Sequence, residues 1–121
     1  MTEKQRPKQY DLEDRTFEFA KKARELIKDL DKNIASIEDG KQLIRSSGSV
    51  GANYIEANEA LSKKDFIMRI KICRKEAKES RYWLKLISTM HNSNLDNQRK
   101  GLETEAKELT HIFGAILTKS V

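Results

Sequence analysis

From Phe66 the sequence places Phe66, Ile70, Cys73, Ala77, Ser80, Leu84 and Ile87 at alternating steps of four and three. Such spacing keeps side chains on one face of an α-helix, because 3.6 residues complete a turn, and no strand tolerates it. Ser62 and Asp65 in "SKKD" read as a capping-box-like start, with aspartate in place of the usual glutamate. The pattern predicts a helix from Ser62 to about His91, roughly 45 Å long at 1.5 Å per residue. A segment of that length must find partners of comparable length. With five glycines and one proline in 121 residues, little material is left for the turns of a sheet. One helical domain follows.

Three further segments carry helical patterns. Ala20, Ala23, Ile27, Leu30, Ile34 and Ile37 form a stripe that begins near Asp11 and ends in the region 31–36. Asp39-Gly40 reads as a turn, at or after which a second helix begins. A last helix after "HNSNLDNQ" carries Leu102, Ala106, Leu109, Phe113, Ile116 and Leu117. Four helices with short connections predict an all-α, antiparallel up-down-up-down four-helix bundle over residues 11–119. Residues 1–10, with Lys4, Arg6 and Lys8 against Glu3, read as a flexible basic arm.

The stretch "IRSSGSVGANYIEA" admits two readings, a glycine-rich phosphate loop or a helix that another backbone approaches closely. A phosphate loop follows a strand and ends in Lys-Ser or Lys-Thr, whereas this stretch has helical flanks and Ala52-Asn53 at that place. Ile44, Ser47, Gly48, Gly51, Ile55 and Asn58 share one face at 100° per residue, so the small residues form a packing surface. Leu43, Val50, Tyr54 and Leu61 make a neighbouring stripe.

The third helix has two more faces. One flank holds Lys63, Lys64, Lys71, Arg74, Lys75, Lys78, Arg81 and Lys85, with Tyr82 at its edge. Ser62 to Lys85 contains nine basic and three acidic residues, a surplus larger than the net +5 of the whole chain. The other flank holds Met68, Ile72, Trp83 and Leu86 interleaved with Asp65, Glu76 and Glu79. Apolar residues beyond a single stripe predict an association surface, here shared with Leu43, Val50 and Tyr54.

The block from Leu43 to Ile87 resembles a bacterial four-helix-bundle family whose genes were first noticed in intervening sequences of 23S ribosomal RNA genes. The match rests on Arg45, Ser47, Gly51-Ala52-Asn53, Glu56-Ala57, Phe66, Glu76-Ala77, Glu79 and Trp83, and weaker similarity spans about Tyr10 to Thr118. This chain departs at the end of the motif, carrying Tyr54-Ile55-Glu56-Ala57-Asn58 where many relatives have Ile-Ala-Glu-Gly. The resemblance implies a protomer that assembles into a ring, a homopentamer. It also links the chain to the accessory protein of a diversity-generating reverse transcriptase, thought to bind nucleic acid through a basic surface. Ser47, Gly48, Gly51, Asn53 and Glu56 then become helix-packing residues. Asn53, Glu56, Glu76 and Glu79 would make polar contacts between helices or subunits, with Arg45 pairing one of the acids.

No catalytic constellation emerges. Cys73 falls in the core stripe, "ELTH" (Glu108 to His111) occurs once where a di-iron bundle needs two copies, and Glu76 with Glu79 suits ion pairing. No stretch approaches the roughly 18 apolar residues of a membrane span. One cysteine and a polar N-terminus without a leader core make the cytoplasm the expected compartment. The residues predict a protein that is not an enzyme, needs no cofactor or metal, and binds structured RNA through Lys64, Lys71, Arg74, Lys75, Lys78, Arg81 and Lys85. With no recognition motif for bases, binding is expected to follow charge and shape. The competing reading is a scaffold or accessory subunit that docks a partner protein and touches no nucleic acid.

Overall fold

The computed structural model describes residues 8–120. Four helices account for nearly all of them: α1 (Lys8–Lys28), α2 (Ile34–Asn58), α3 (Lys63–Leu86) and α4 (Ser93–Ser120). Residues 1–7 of the expected arm lie outside the described residues, and residues 8–10 belong to the first turn of α1.

Local chemistry sets the helix ends. At Asn33 the Ser36 N–H donates to Asn33 Oδ1 (2.9 Å) and the Asn33 N–H donates to Ser36 Oγ (3.0 Å), a reciprocal cap. This cap starts α2 six residues before the expected turn, so Asp39-Gly40 is helix interior. A Cβ on Gly40 would sit 3.2 Å from Ile27, and glycine here serves close packing. The break at 29–33 also splits the expected first stripe. Its true line is Leu12, Thr16, Phe19, Ala23, Leu26 and Leu30, all buried, while Ile34 and Ile37 are exposed. One helical period cannot run through a chain that has stopped and restarted.

The Asp65 N–H donates to Ser62 Oγ (3.0 Å) and starts α3 where the sequence predicts. The helix ends at Leu86, making it about 36 Å long, shorter than expected. The connection to α4 then passes through Met90 and His91, both with positive φ (53° and 64°). Asn92 caps α4 by accepting from the Leu95 N–H at 2.9 Å. α2 ends without a left-handed residue, Glu59 holding φ −102°.

Consecutive helices pair in opposite directions. Ser46, Val50 and Asn53 of α2 meet Ser80, Cys73 and Arg69 of α3 in descending order. Thr16, Arg24 and Ile27 of α1 descend likewise against Gly51, Gly48 and Gly40. Small side chains bring α2 and α3 close: Ser80 Oγ lies 2.8 Å from Ser46 Oγ, and both are buried. Tyr54 and Phe113 meet at the centre, ring centroids 5.9 Å apart. The α1/α4 seam is the loosest. Arg15 ties it to Glu105 (2.6 Å) and Glu108 (3.0 Å) beside a groove of about 670 Å³.

Leu43 and Val50 are fully buried and Tyr54 is 2% exposed, all inside the protomer core. The assignment of these three to a subunit interface is therefore corrected. Two faces of α2 are used inside one chain because α2 lies between α1 and α3: Gly40, Gly48 and Gly51 meet α1, and Leu43, Val50 and Tyr54 face the centre, whereas Ile44, Ile55 and Leu61 of the expected stripes are exposed.

Candidate nucleic-acid interface

The core stripe of α3 points inward, so its flanks border α2 on one side and α4 on the other. The basic flank borders α4. There Arg74, Lys78, Arg81 and Lys85 form one wall of a groove of about 560 Å³, and Lys107 and His111 of α4 form the other. The groove continues toward the C-terminus of α4, where Lys71 and Lys75 join Arg74 and Lys78 around a further 380 Å³.

These cations are mostly uncommitted. Among the described residues, Lys64, Lys71, Arg74, Lys78, Lys85 and Lys107 make no ion pair. Arg81 approaches Glu103 at 3.8 Å, beyond a hydrogen bond, and Lys75 lies 3.8 Å from Glu76. Arg69, the one basic residue of α3 off this flank, turns to α2 and donates to Asn53 Oδ1 at 3.0 Å. Unneutralised charge along a concave surface concentrates field lines and attracts polyanions. The groove on the other side of α4 differs in sign, with Asp14, Glu18, Glu25 and Glu105 against Arg15 and Lys22. Charge is thus segregated across α4.

The sequence reading found the α3 wall and missed the α4 wall. Lys107 and His111 are one turn apart and each follows the core line Ala106, Leu109, Phe113 by one or two positions. That register was the available signal, but only packing says which neighbour it faces.

The second flank of α3 is partly spent within the protomer. Glu76 is buried and its carboxylate accepts from Arg45 Nη1 at 3.3 Å, while Glu79 accepts from Arg45 Nη2 at 3.1 Å. Arg45 therefore pairs both acids, and Glu76 belongs to the α2/α3 seam, correcting its place in a subunit interface. Trp83 packs partly on the core, and its Nε1 is buried without an acceptor. Met68 and Leu86 remain half exposed, with Ile72 between buried and exposed. Of the expected packing motif, Ser47 is buried, Gly51 abuts Thr16 and Gly48 faces the Arg24 guanidinium. Asn53 bridges to Arg69, whereas Glu56 stays at the exposed surface.

Burial pushes the Cys73 thiol up to about 12, far from the range of a reactive thiolate. Its Sγ lies 3.4 Å from the Val50 carbonyl oxygen, which accepts its S–H. Glu108 is committed to Arg15 and His111 lines the α3/α4 groove, so the two ends of "ELTH" serve different seams. Among the described residues no cluster of three or more His, Cys, Asp or Glu is placed to hold a metal, and no helix is long and apolar enough to cross a membrane.

The sequence pattern of the 23S rRNA-intervening sequence proteins matches residues 8–115, which spans all of α1 to α3 and most of α4. The chain belongs to that family. Its fold matches a crystal structure described as a protein of unknown function from the S23 ribosomal protein family of Bacteroides thetaiotaomicron VPI-5482. The two share 30% sequence identity with a TM-score of 0.75, over 93% of this chain and 99% of that one. No curated protein matches the chain. Family membership thus fixes a four-helix framework, and function has to be argued from the surface of this member.

Proposed function

We propose that this protein is a non-enzymatic module that binds structured RNA, ribosomal RNA in the first instance, through the groove between α3 and α4. One observation carries the reading: a concave surface with Lys71, Arg74, Lys78, Lys85 and Lys107 on its walls and no acidic partner for any of them among the described residues. Cations in that state release bound counterions when they meet phosphate, which supplies affinity without base recognition. The names of the family and of the crystallised relative, both tied to ribosomal sequences, point the same way.

The protomer would act as part of a ring-like homo-oligomer, a pentamer, in the cytoplasm, multiplying the basic groove around an axis. Half-exposed Met68 and Leu86, with Ile72 and Trp83 beside them, support a subunit contact on the remaining edge of α3. Repetition of a weak phosphate site raises avidity without new contacts.

The test is binding of ribosomal RNA fragments at about 0.05 and 0.15 M salt, with solution mass measured in parallel. Replacing Arg74, Lys78, Lys85 and Lys107 by alanine should weaken binding and flatten the dependence on salt by about 0.7–0.9 per lost phosphate contact. Affinity unchanged by the four substitutions overturns the assignment. A partner protein that survives nuclease treatment while RNA does not bind would favour the scaffold reading instead.

A further inference from the structure

The basic groove is not lined by cations alone. Tyr82 stands on its α3 wall and His111 on its α4 wall. Tyr82 follows Lys78 by four residues and precedes Lys85 by three, so the phenol ring projects from the same helical strip as both cations. Tyr82 is 57% exposed, although the core line of α3 passes through Ser80 and Leu84 close by. It therefore contributes little to the protomer interior. Trp83 meets it in a near-perpendicular contact, centroids 5.0 Å apart and planes at 75°, which restrains the ring while leaving most of it in solvent. A restrained, solvent-facing aromatic between two unpaired lysines suits a planar, anionic ligand better than a helical polyanion.

Resting on the RNA reading above, we propose that this groove takes unpaired nucleotides, from a loop, bulge or strand end, in preference to base-paired stems. Tyr82 stacks on one base, His111 closes the opposite side, and Lys78, Lys85 and Lys107 hold the flanking phosphates. In a duplex the base faces are already stacked on one another and the deep groove of A-form RNA hides their edges, so Tyr82 gains nothing there. In an unpaired strand every base offers a π-face, whatever its identity. Charge and shape drove the expectation from sequence; the exposed Tyr82 ring adds a contact that tells single strands from stems.

Fluorescence anisotropy on the full chain tests this with labelled oligouridylate of about eight nucleotides and an RNA duplex of equal phosphate number, at one salt concentration. Tyr82→Ala should cost single-strand affinity about fivefold or more and leave duplex affinity within twofold, while Tyr82→Phe retains both. Lys78→Ala should weaken both ligands by a similar factor. Quenching or shift of Trp83 emission on adding the single strand, lost in Tyr82→Ala, gives an independent readout. His111→Ala, on the other helix, should also lower the preference for single strands, and circular dichroism checks the helices of each variant. Equal binding of strand and duplex, or a Tyr82→Ala loss shared by both, overturns the stacking inference and leaves the phosphate reading standing. Absence of binding to either ligand overturns both.

Discussion

Replacing Gly51 by alanine puts the tightest glycine contact of the protein under direct strain. In an open helix interior the change stabilises by about 1 kcal/mol, because alanine loses less backbone freedom on folding. At Gly51 the added Cβ would sit 3.0 Å from Thr16 Oγ1, 3.3 Å from Thr16 Cβ and 3.6 Å from the Thr16 carbonyl carbon. Carbon atoms prefer about 3.5–4.0 Å, so α1 must move or Thr16 must turn. Thr16 has little room to turn, being 2% exposed with its hydroxyl donating to the Glu13 carbonyl at 3.0 Å. An extra carbon in a packed seam costs about 1–3 kcal/mol, which offsets the propensity gain and leaves a loss of up to about 2 kcal/mol. Gly101→Ala is the internal standard, since nothing lies within 4 Å of a Cβ there and the full gain should appear. For a chain of this size each kcal/mol moves Tm by roughly 3–6 °C, so the two variants should differ by at least about 3 °C in far-UV melts, with Gly101→Ala above the parent and Gly51→Ala at or below it. Thr16→Ala combined with Gly51→Ala should recover part of the loss, giving a coupling of about 0.5 kcal/mol or more. If Gly51→Ala stabilises as much as Gly101→Ala, the close approach of α1 to α2 is not what the glycine serves.

Two other substitutions probe α3. Arg45→Ala leaves the buried Glu76 carboxylate facing only Lys75 at 3.8 Å, and should destabilise by about 1–2 kcal/mol, discounted from the full buried-pair cost because Arg45 is itself 53% exposed. Urea unfolding measures it, and adding Glu76→Gln to Arg45→Ala should restore stability, whereas a further additive loss would show that the pair does not act together. Cys73 should resist thiol reagents in the native state at pH 8 and react only as fast as the protein opens. Its thiol has an ordinary value of 9.0 and is raised to about 12 by burial, so the folded state prefers the protonated form. The stability this gives is full below about pH 9 and is lost as pH rises from 9 toward 12; in Cys73→Ala that alkaline decline should be shallower.

Much of the framework was legible because helical order is a local property. The core line of α3 follows from residues 66–87 alone, and every member of it is buried except Phe66, which packs against the core from its rim. The basic flank is equally local, since a 3.6-residue period fixes which side chains share a side of one rod. Errors arose where a decision depended on a second rod. Asp39-Gly40 has turn composition, yet Asn33 and Ser36 cap the helix earlier and Ile27 of α1 fills the space beside Gly40. Leu43, Val50 and Tyr54 looked surplus because α2 presents two stripes, and only its position between α1 and α3 turns these three residues inward.

By itself, then, the sequence determined that there would be four helices, which stripe of α3 turns inward, and that eight lysines and arginines would share one of its sides. The tertiary structure decided what stands opposite them. Lys107 and His111 reach the groove because α4 descends beside α3 in a particular rotation, and Arg45 reaches both Glu76 and Glu79 because α2 crosses on the other side. The physical reason is range. Backbone hydrogen bonding and side-chain spacing act over four residues, while the rotation of one helix against another is set by steric fit between side chains far apart in the chain.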